Sequence, residues 1–167
     1  MRALDGLPLG ARRALEAWLG TVAGLLGDRL AAAWLYGGAV LEDFEPRWSD
    51  LDVCLAVTEP LPDATRERLS DAHRDLHERF VGGGEEGWAS SQFVEGAILP
   101  IDLLEDALGR GPGDEVGPEG VTHYRETALA PFDRYQLHHF GRPLLGGGVV
   151  VAPPSREDLP QSLPRHL

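Results

Sequence analysis

Apolar residues recur along the chain with two different periods, and the switches between them mark out elements. Between about residues 9 and 30, Leu15, Trp18, Leu19, Val22, Leu25, Leu26 and Leu30 fall at helical spacing, which predicts an amphipathic helix. Ala32–Tyr36 is a short apolar run ending in Gly37-Gly38, read as a buried strand and a turn, and Ala39–Glu42 as the start of a short helix. Leu51, Val53, Leu55 and Val57 then alternate with Asp50, Asp52, Cys54 and Ala56, the period of two that marks a strand. Pro62 and Asp63 open a second helix running through Phe80, with Leu69, Ala72, Leu76 and Phe80 as its apolar stripe.

Glycines at 82–84 and 87 with Glu85 and Glu86 predict a loop, Gln92–Leu99 a third strand closed by Pro100, and Ile101–Leu108 a short helix. Gly109–Gly120, rich in glycine, proline and acid, is expected to be a mobile loop. Pro131–Phe140 reads as helical, Gly141–Gly146 as a turn, and the segment from 156 to 167 as a polar tail after a domain spanning 1–155. Only a short excursion separates the first two strands, too little for a crossover helix. The expected class is therefore α+β, a mixed β-sheet with flanking helices.

Composition narrows the chemistry. Of 42 charged side chains, 15 are basic and 27 acidic, for a net charge of −12, and every basic one is arginine. Without lysine there is no Walker-type phosphate loop. The acidic balance argues against nucleic acid as a partner, because gripping a phosphate backbone takes a basic face. It suits a cationic small molecule or a basic protein, and equally serves solubility. Cys54 is the single cysteine, so one chain cannot build a disulfide framework or a cysteine zinc site. No secretory apolar segment opens the chain, and the longest apolar stretch, Leu30–Leu41, is too short to span a bilayer; the expected setting is the cytoplasm, with no membrane partner.

The chemistry concentrates in residues 35–57. Asp50 and Asp52 are two apart, so a strand aims both carboxylates at one side, opposite its apolar face. Two carboxylates can bind Mg²⁺, and a glycine bend such as Gly37-Gly38 can bring backbone N–H groups to phosphate oxygens. Read alone, Gly-Gly after a strand is a plain turn, and Ser49-Asp50 a turn cap with Asp52 in solvent. Glu95 is the one charge in an apolar strand, which is costly unless it is paired or holds a metal. It could complete a metal site, act as general base, or face water from an edge strand.

Gly37-Gly38, eleven residues, then Asp50-Leu51-Asp52 resembles the signature of the nucleotidyltransferase superfamily of DNA polymerase β and its relatives. Within that superfamily, Leu35-Tyr36-Gly37-Gly38-Ala39-Val40 with Ser49-Asp50-Leu51-Asp52 is most similar to the aminoglycoside adenylyltransferases of the streptomycin/spectinomycin type. Val94-Glu95 with Ile98-Leu99-Pro100 looks like that family's third-acid strand, and Gly141–Gly146 like its Gly-x-x-Leu-x-Gly turn. The resemblance implies a nucleotidyltransferase-like fold and Mg²⁺-dependent transfer of AMP from ATP to a hydroxyl of a small-molecule acceptor. An aminoglycoside, hence antibiotic resistance, is the first expectation.

The resemblance further implies that Asp50, Asp52 and Glu95 are the catalytic and metal-binding acids. Gly37, Gly38 and Ser49 would hold the nucleotide, with Arg47 assigned to the phosphates as the nearest cation in sequence. Two departures stand out: Gly38 replaces the commoner serine, and relatives carry a further helical domain, expected to be absent from a sequence that stops at Leu167. Three alternatives follow: a minimal antitoxin-type enzyme modifying a helical partner protein, a non-catalytic nucleotide-binding module, or a chance Asp-x-Asp in a structural domain. A homodimer is compatible with any of them.

Other polar signals carry less. His73 and His77, four apart among Arg74, Asp75, Glu78 and Arg79, read as a solvated helix face, and His138-His139 as a helix end. His123-Tyr124-Arg125-Glu126 reads as surface packing before substrate contact, Gly146-Gly147-Gly148 as a turn, and Cys54 as a small packed apolar group.

Overall fold

The computed structural model describes residues 4–41, 43–46, 48–82, 93–155 and 157. Six strands form one sheet: β1 (Leu30–Leu35), β2 (Leu51–Val57), β3 (Val94–Pro100), β4 (Gly111–Gly117), β5 (Gly120–Thr127) and β6 (Arg142–Gly146). Their order is β5-β4-β3-β2-β1-β6. Only β2 and β3 run parallel; β1 is antiparallel to both β2 and β6, and β3, β4 and β5 form an antiparallel run. The four α-helices are α1 (Leu9–Leu26), α2 (Asp63–His77), α3 (Ile101–Glu105) and α4 (Pro131–Phe140). The expected α+β mixed sheet is what the chain forms. The parallel pair arises because α2 lies between β2 and β3 and returns the chain to the same end of the sheet.

Helix α1 buries Ala11, Ala14, Leu15, Trp18, Val22 and Leu26, a continuous stripe at helical spacing. With α2 it covers the face of the sheet that carries Ala33, Leu35, Val53, Leu55, Val94 and Ile98, and these residues share the larger apolar core. Alternation along the strands sends their neighbours to the opposite face. There Ala32, Tyr36, Cys54, Ala56 and Leu99 meet Leu103 and Leu104 of α3 and Leu137 of α4 in a second, smaller core.

Several readings of the sequence are corrected. His73 is not on a solvated face: it is 1% exposed, at the centre of the buried stripe Leu69–His73–Phe80. Its Nδ1 accepts a hydrogen bond of 3.1 Å from Trp18 Nε1 across the α1–α2 contact, and its ring meets Phe93 edge-on. Burial, with His77 and Arg74 nearby, pushes its pKa down to about 4, so the ring is neutral. The charged neighbours that argued for solvent occupy the other side of the same helix.

The segment 109–120 is not a loop but supplies β4 and the turn into β5. Gly-Pro-Gly-Asp-Glu-Val-Gly has a turn-like composition, yet strands on both sides give its backbone a ladder that depends little on side chains. Gly113 is closely packed there: a Cβ would sit 2.7 Å from side-chain carbons of Leu99 and Thr127, which would have to shift to admit it. The Gly141–Gly146 turn is likewise edge strand β6, where Pro143 removes no ladder donor from a central strand.

The helix expected from Ala39 is only a 3₁₀ turn over Gly37–Ala39. Helix α2 ends at His77 and continues to Gly82 as a π-helical turn. The predicted loop at 83–87, Gln92 and, Glu157 apart, the polar tail from 156 lie outside the described residues. Among the described residues, no helix is long and apolar enough to cross a membrane.

Candidate active site

The parallel pairing of β2 with β3 decides where the acids meet. In that register Asp52 stands directly opposite Glu95. Register partners on neighbouring strands point to the same side of a sheet, so two carboxylates from segments 43 residues apart share one face. Asp50 lies just before β2, half-buried, and acts electrostatically on both of them.

Gly37 is packed against this group. Its φ of +68° lies in the left-handed region, and a Cβ added to it would stand 1.8 Å from Asp52 Oδ2. Only glycine lets the backbone bend and the carboxylate occupy the same place. The bend is tied to β2 by the Tyr36 N–H, which donates to the Asp52 carbonyl at 3.0 Å, while Gly37 and Gly38 carbonyls accept from Val40 and Asp43.

Gly38 flanks the bend with room to spare: the nearest atom to a Cβ there would be the Asp43 carbonyl oxygen at 3.4 Å. The Ser49 hydroxyl accepts the Glu45 N–H at 2.9 Å and so braces the loop that delivers Asp50. Arg47 lies outside the described residues.

Crowding of like charge is visible in the protonation behaviour. Asp52 is pushed up to about 7, first by burial, then by Asp50, Asp133 and Glu95. Glu95 is raised by burial and by Asp50, and Asp133 by burial. Among the described residues no cationic side chain pairs with any of these four.

Two members of the group are absent from the sequence-level site. Tyr36, 5% exposed, ends the first apolar run, and its acidity is lowered by burial, Asp133, Cys54, Asp52 and Asp50. Asp133 stands in the first turn of α4, on the same side of the sheet. An acid beside a proline at a helix start reads as dipole complementation, so nothing local distinguished it. Its neighbour Arg134 is buried and turned elsewhere, donating to the carbonyls of Leu103 at 2.7 Å and Leu104 at 2.8 Å. Arg134 thereby fastens α4 to the end of α3 and fixes where Asp133 stands.

Cys54, on the face of Asp52, is buried and free, its thiol pushed up to about 12 chiefly by burial; it packs as a small apolar group. His123 contacts the buried Asp114 at 2.9 Å, with Arg66 at 3.6 Å, on the far face of the sheet; it ties β5 to β4.

The sequence matches no protein-family model and no curated protein. The structure is similar to that of the spectinomycin adenyltransferase AAD(9) from Enterococcus faecialis, solved with ATP and spectinomycin. The TM-score is 0.66 at 18% sequence identity over 86% of this chain. The fold is nucleotidyltransferase-like. The match spans 61% of that enzyme's chain, so it covers part of it only.

The donor set fits a hard divalent cation, which takes carboxylate oxygens and offsets the repulsion among them. Among the described residues, no three His, Cys, Asp or Glu side chains are already drawn together as a metal site.

Proposed function

We propose that the chain is a nucleotidyltransferase domain that transfers AMP from ATP to a hydroxyl of a small cationic acceptor, an aminoglycoside being the first candidate. The observation that carries this reading is the pairing of Asp52 with Glu95 across two parallel strands, with Asp50 beside them and the Gly37 bend packed on the Asp52 carboxylate. The likeness to an enzyme solved with ATP and spectinomycin supports it.

Asp50, Asp52 and Glu95 would hold Mg²⁺, which when bound supplies neutralisation of the triphosphate and of the leaving pyrophosphate. The protein's own part is positional. Gly37 lets the chain turn without displacing Asp52, and the opening N–H groups of the Gly37–Ala39 turn have no acceptor within it, leaving them for phosphate oxygens. Glu95, the register partner of Asp52, would complete that cation site or accept the proton of an attacking hydroxyl. With no lysine in the chain, phosphate charge that the protein itself meets falls to arginine, and Arg47 is the nearest in sequence.

The test is pyrophosphate release from ATP on addition of a panel of aminoglycosides. Turnover with at least one, abolished in Asp50→Asn and Glu95→Gln, is expected. Tight Mg²⁺-dependent ATP binding with no turnover against any acceptor, protein or small molecule, would replace the enzyme with a nucleotide-binding module.

A further inference from the structure

Trp48 is the most exposed large apolar side chain among the described residues, at 77%. Elsewhere in the described chain an indole is covered: Trp18 is 1% exposed at the α1–α2 contact, and Trp34 packs against the second core. Leaving so much apolar surface in water forgoes the stabilisation that burial gives the other two.

The backbone beneath this indole is firmly held. The Trp48 and Ser49 N–H groups both donate to the Glu45 carbonyl, at 3.0 and 2.9 Å, and the Ser49 hydroxyl accepts the Glu45 N–H at 2.9 Å. The loop is also tied to the candidate site at both ends. The Asp43 N–H donates to the Gly38 carbonyl at 3.2 Å, and the Leu51 N–H, next to Asp50, donates to the Phe93 carbonyl at 2.9 Å. Trp48 stands two residues before Asp50, at most about 7 Å of chain. A closed turn thus presents a bare aromatic ring at the rim of the acids, on the loop that runs from the glycine bend to β2. An indole face matches a planar π system, and in a nucleoside triphosphate only the base has one. Stacking also needs no positive charge, which suits a chain without lysine.

Resting on the nucleotidyltransferase reading, we propose that Trp48 is the platform on which the base of the nucleoside triphosphate stacks, while the Gly37 bend and the acids hold its phosphates. The ring is fixed by the turn before the ligand arrives, so little ordering is needed on binding. Trp48 is thus a substrate-binding residue that lies between the glycine pair and the aspartates and belongs to neither.

The test uses the full chain with Mg²⁺ and two probes that share a chain of three phosphorus groups. Adenylyl imidodiphosphate carries a base; inorganic tripolyphosphate does not. Affinities come from calorimetry, and the indole N–H resonance of Trp48 is followed in parallel. The nucleotide analogue is expected to bind the native chain more tightly and to move that resonance, and tripolyphosphate to leave it in place. Trp48→Ala should weaken the analogue about tenfold and tripolyphosphate by less than about twofold, while Trp48→Phe, which keeps a ring face, retains most of the affinity. Leu108→Ala removes another exposed apolar side chain, 71% exposed and at the opposite end of the parallel β2–β3 pair, and should change neither. Unchanged analogue affinity in Trp48→Ala, or equal losses for both probes, would overturn the platform and leave the phosphate site standing. Failure of both probes to bind the native chain would overturn the nucleotidyltransferase reading and the platform with it.

Discussion

The two faces of the sheet handle buried polar groups in opposite ways. On the α1–α2 face His73 is enclosed and deprived of charge, its Nδ1 taking the Trp18 N–H while its buried Nε2 has no hydrogen-bond partner among the described residues. On the α3–α4 face Asp52, Glu95, Asp133 and Tyr36 are left half-buried or buried without a partner of opposite charge among the described residues. The first arrangement stabilises a fold; the second costs stability and is retained where a site needs groups ready for a ligand. The contrast separates a structural histidine from carboxylates left without a partner of opposite charge among the described residues, although both are polar residues in apolar elements.

The largest effect is expected at the acids. Asp50→Asn and Asp52→Asn should weaken Mg²⁺-dependent nucleotide binding about a hundredfold or more while leaving thermal stability intact or raised, since each removes repulsion. Loss of the fold with unchanged binding would place these acids with His73, in the structural class. Gly37→Ala comes next: a Cβ at φ +68° and 1.8 Å from Asp52 Oδ2 should cost about 1–3 kcal/mol and shift the carboxylate. Denaturant unfolding gives the first number and nucleotide affinity the second.

Trp18→Phe tests the other face. It strips the Nε1–H from His73 Nδ1 and should cost about 1–3 kcal/mol, with nucleotide binding unchanged.

The pH dependences of the two faces run in opposite directions. Asp52 titrates near 7 folded and near 3.8 unfolded, so its share of stability is full below about 4 and is lost as pH rises through about 7. Allowing for its partial exposure, that share is about 2 kcal/mol and should vanish in Asp52→Asn. His73 binds its proton near 4 folded and near 6.5 unfolded, so its contribution is lost on acidification from about 6.5 toward 4. Melting curves across pH 4–8 for each single variant separate the two slopes.

The sequence exposed most of the fold where side chains dictate it. The α1 stripe, the alternation in β2 and the short gap between β1 and β2 are all consequences of which residues must be buried. Segments held by backbone pairing were missed: β4 looked like a loop and β6 like a turn, because glycine and proline are read for local preference and neighbouring strands override it. The exposure of Asp52 to the face opposite Leu51 and Val53 followed from strand periodicity, whereas Asp50 lies just before β2. The meeting of Asp52 with Glu95 needed the β2–β3 register, which one sequence does not encode locally. Tyr36 lies inside the quoted motif yet was not read as part of the site, and the β1–β2 pairing brings it to the acids; Asp133 carried no motif, and only the docking of α4 brings it there. His73 was misjudged because its charged neighbours were counted by sequence and not by helical angle, although Leu69 four residues before it marked the buried side.

The most direct measurement is calorimetric titration of the full chain with a non-hydrolysable ATP analogue, with and without Mg²⁺, for the native protein and Asp52→Asn. Binding that requires Mg²⁺ in the native protein and disappears in the variant is the predicted result. Binding that is indifferent to Mg²⁺, or equally strong in the variant, would contradict the assignment of these carboxylates to a cation-dependent nucleotide site.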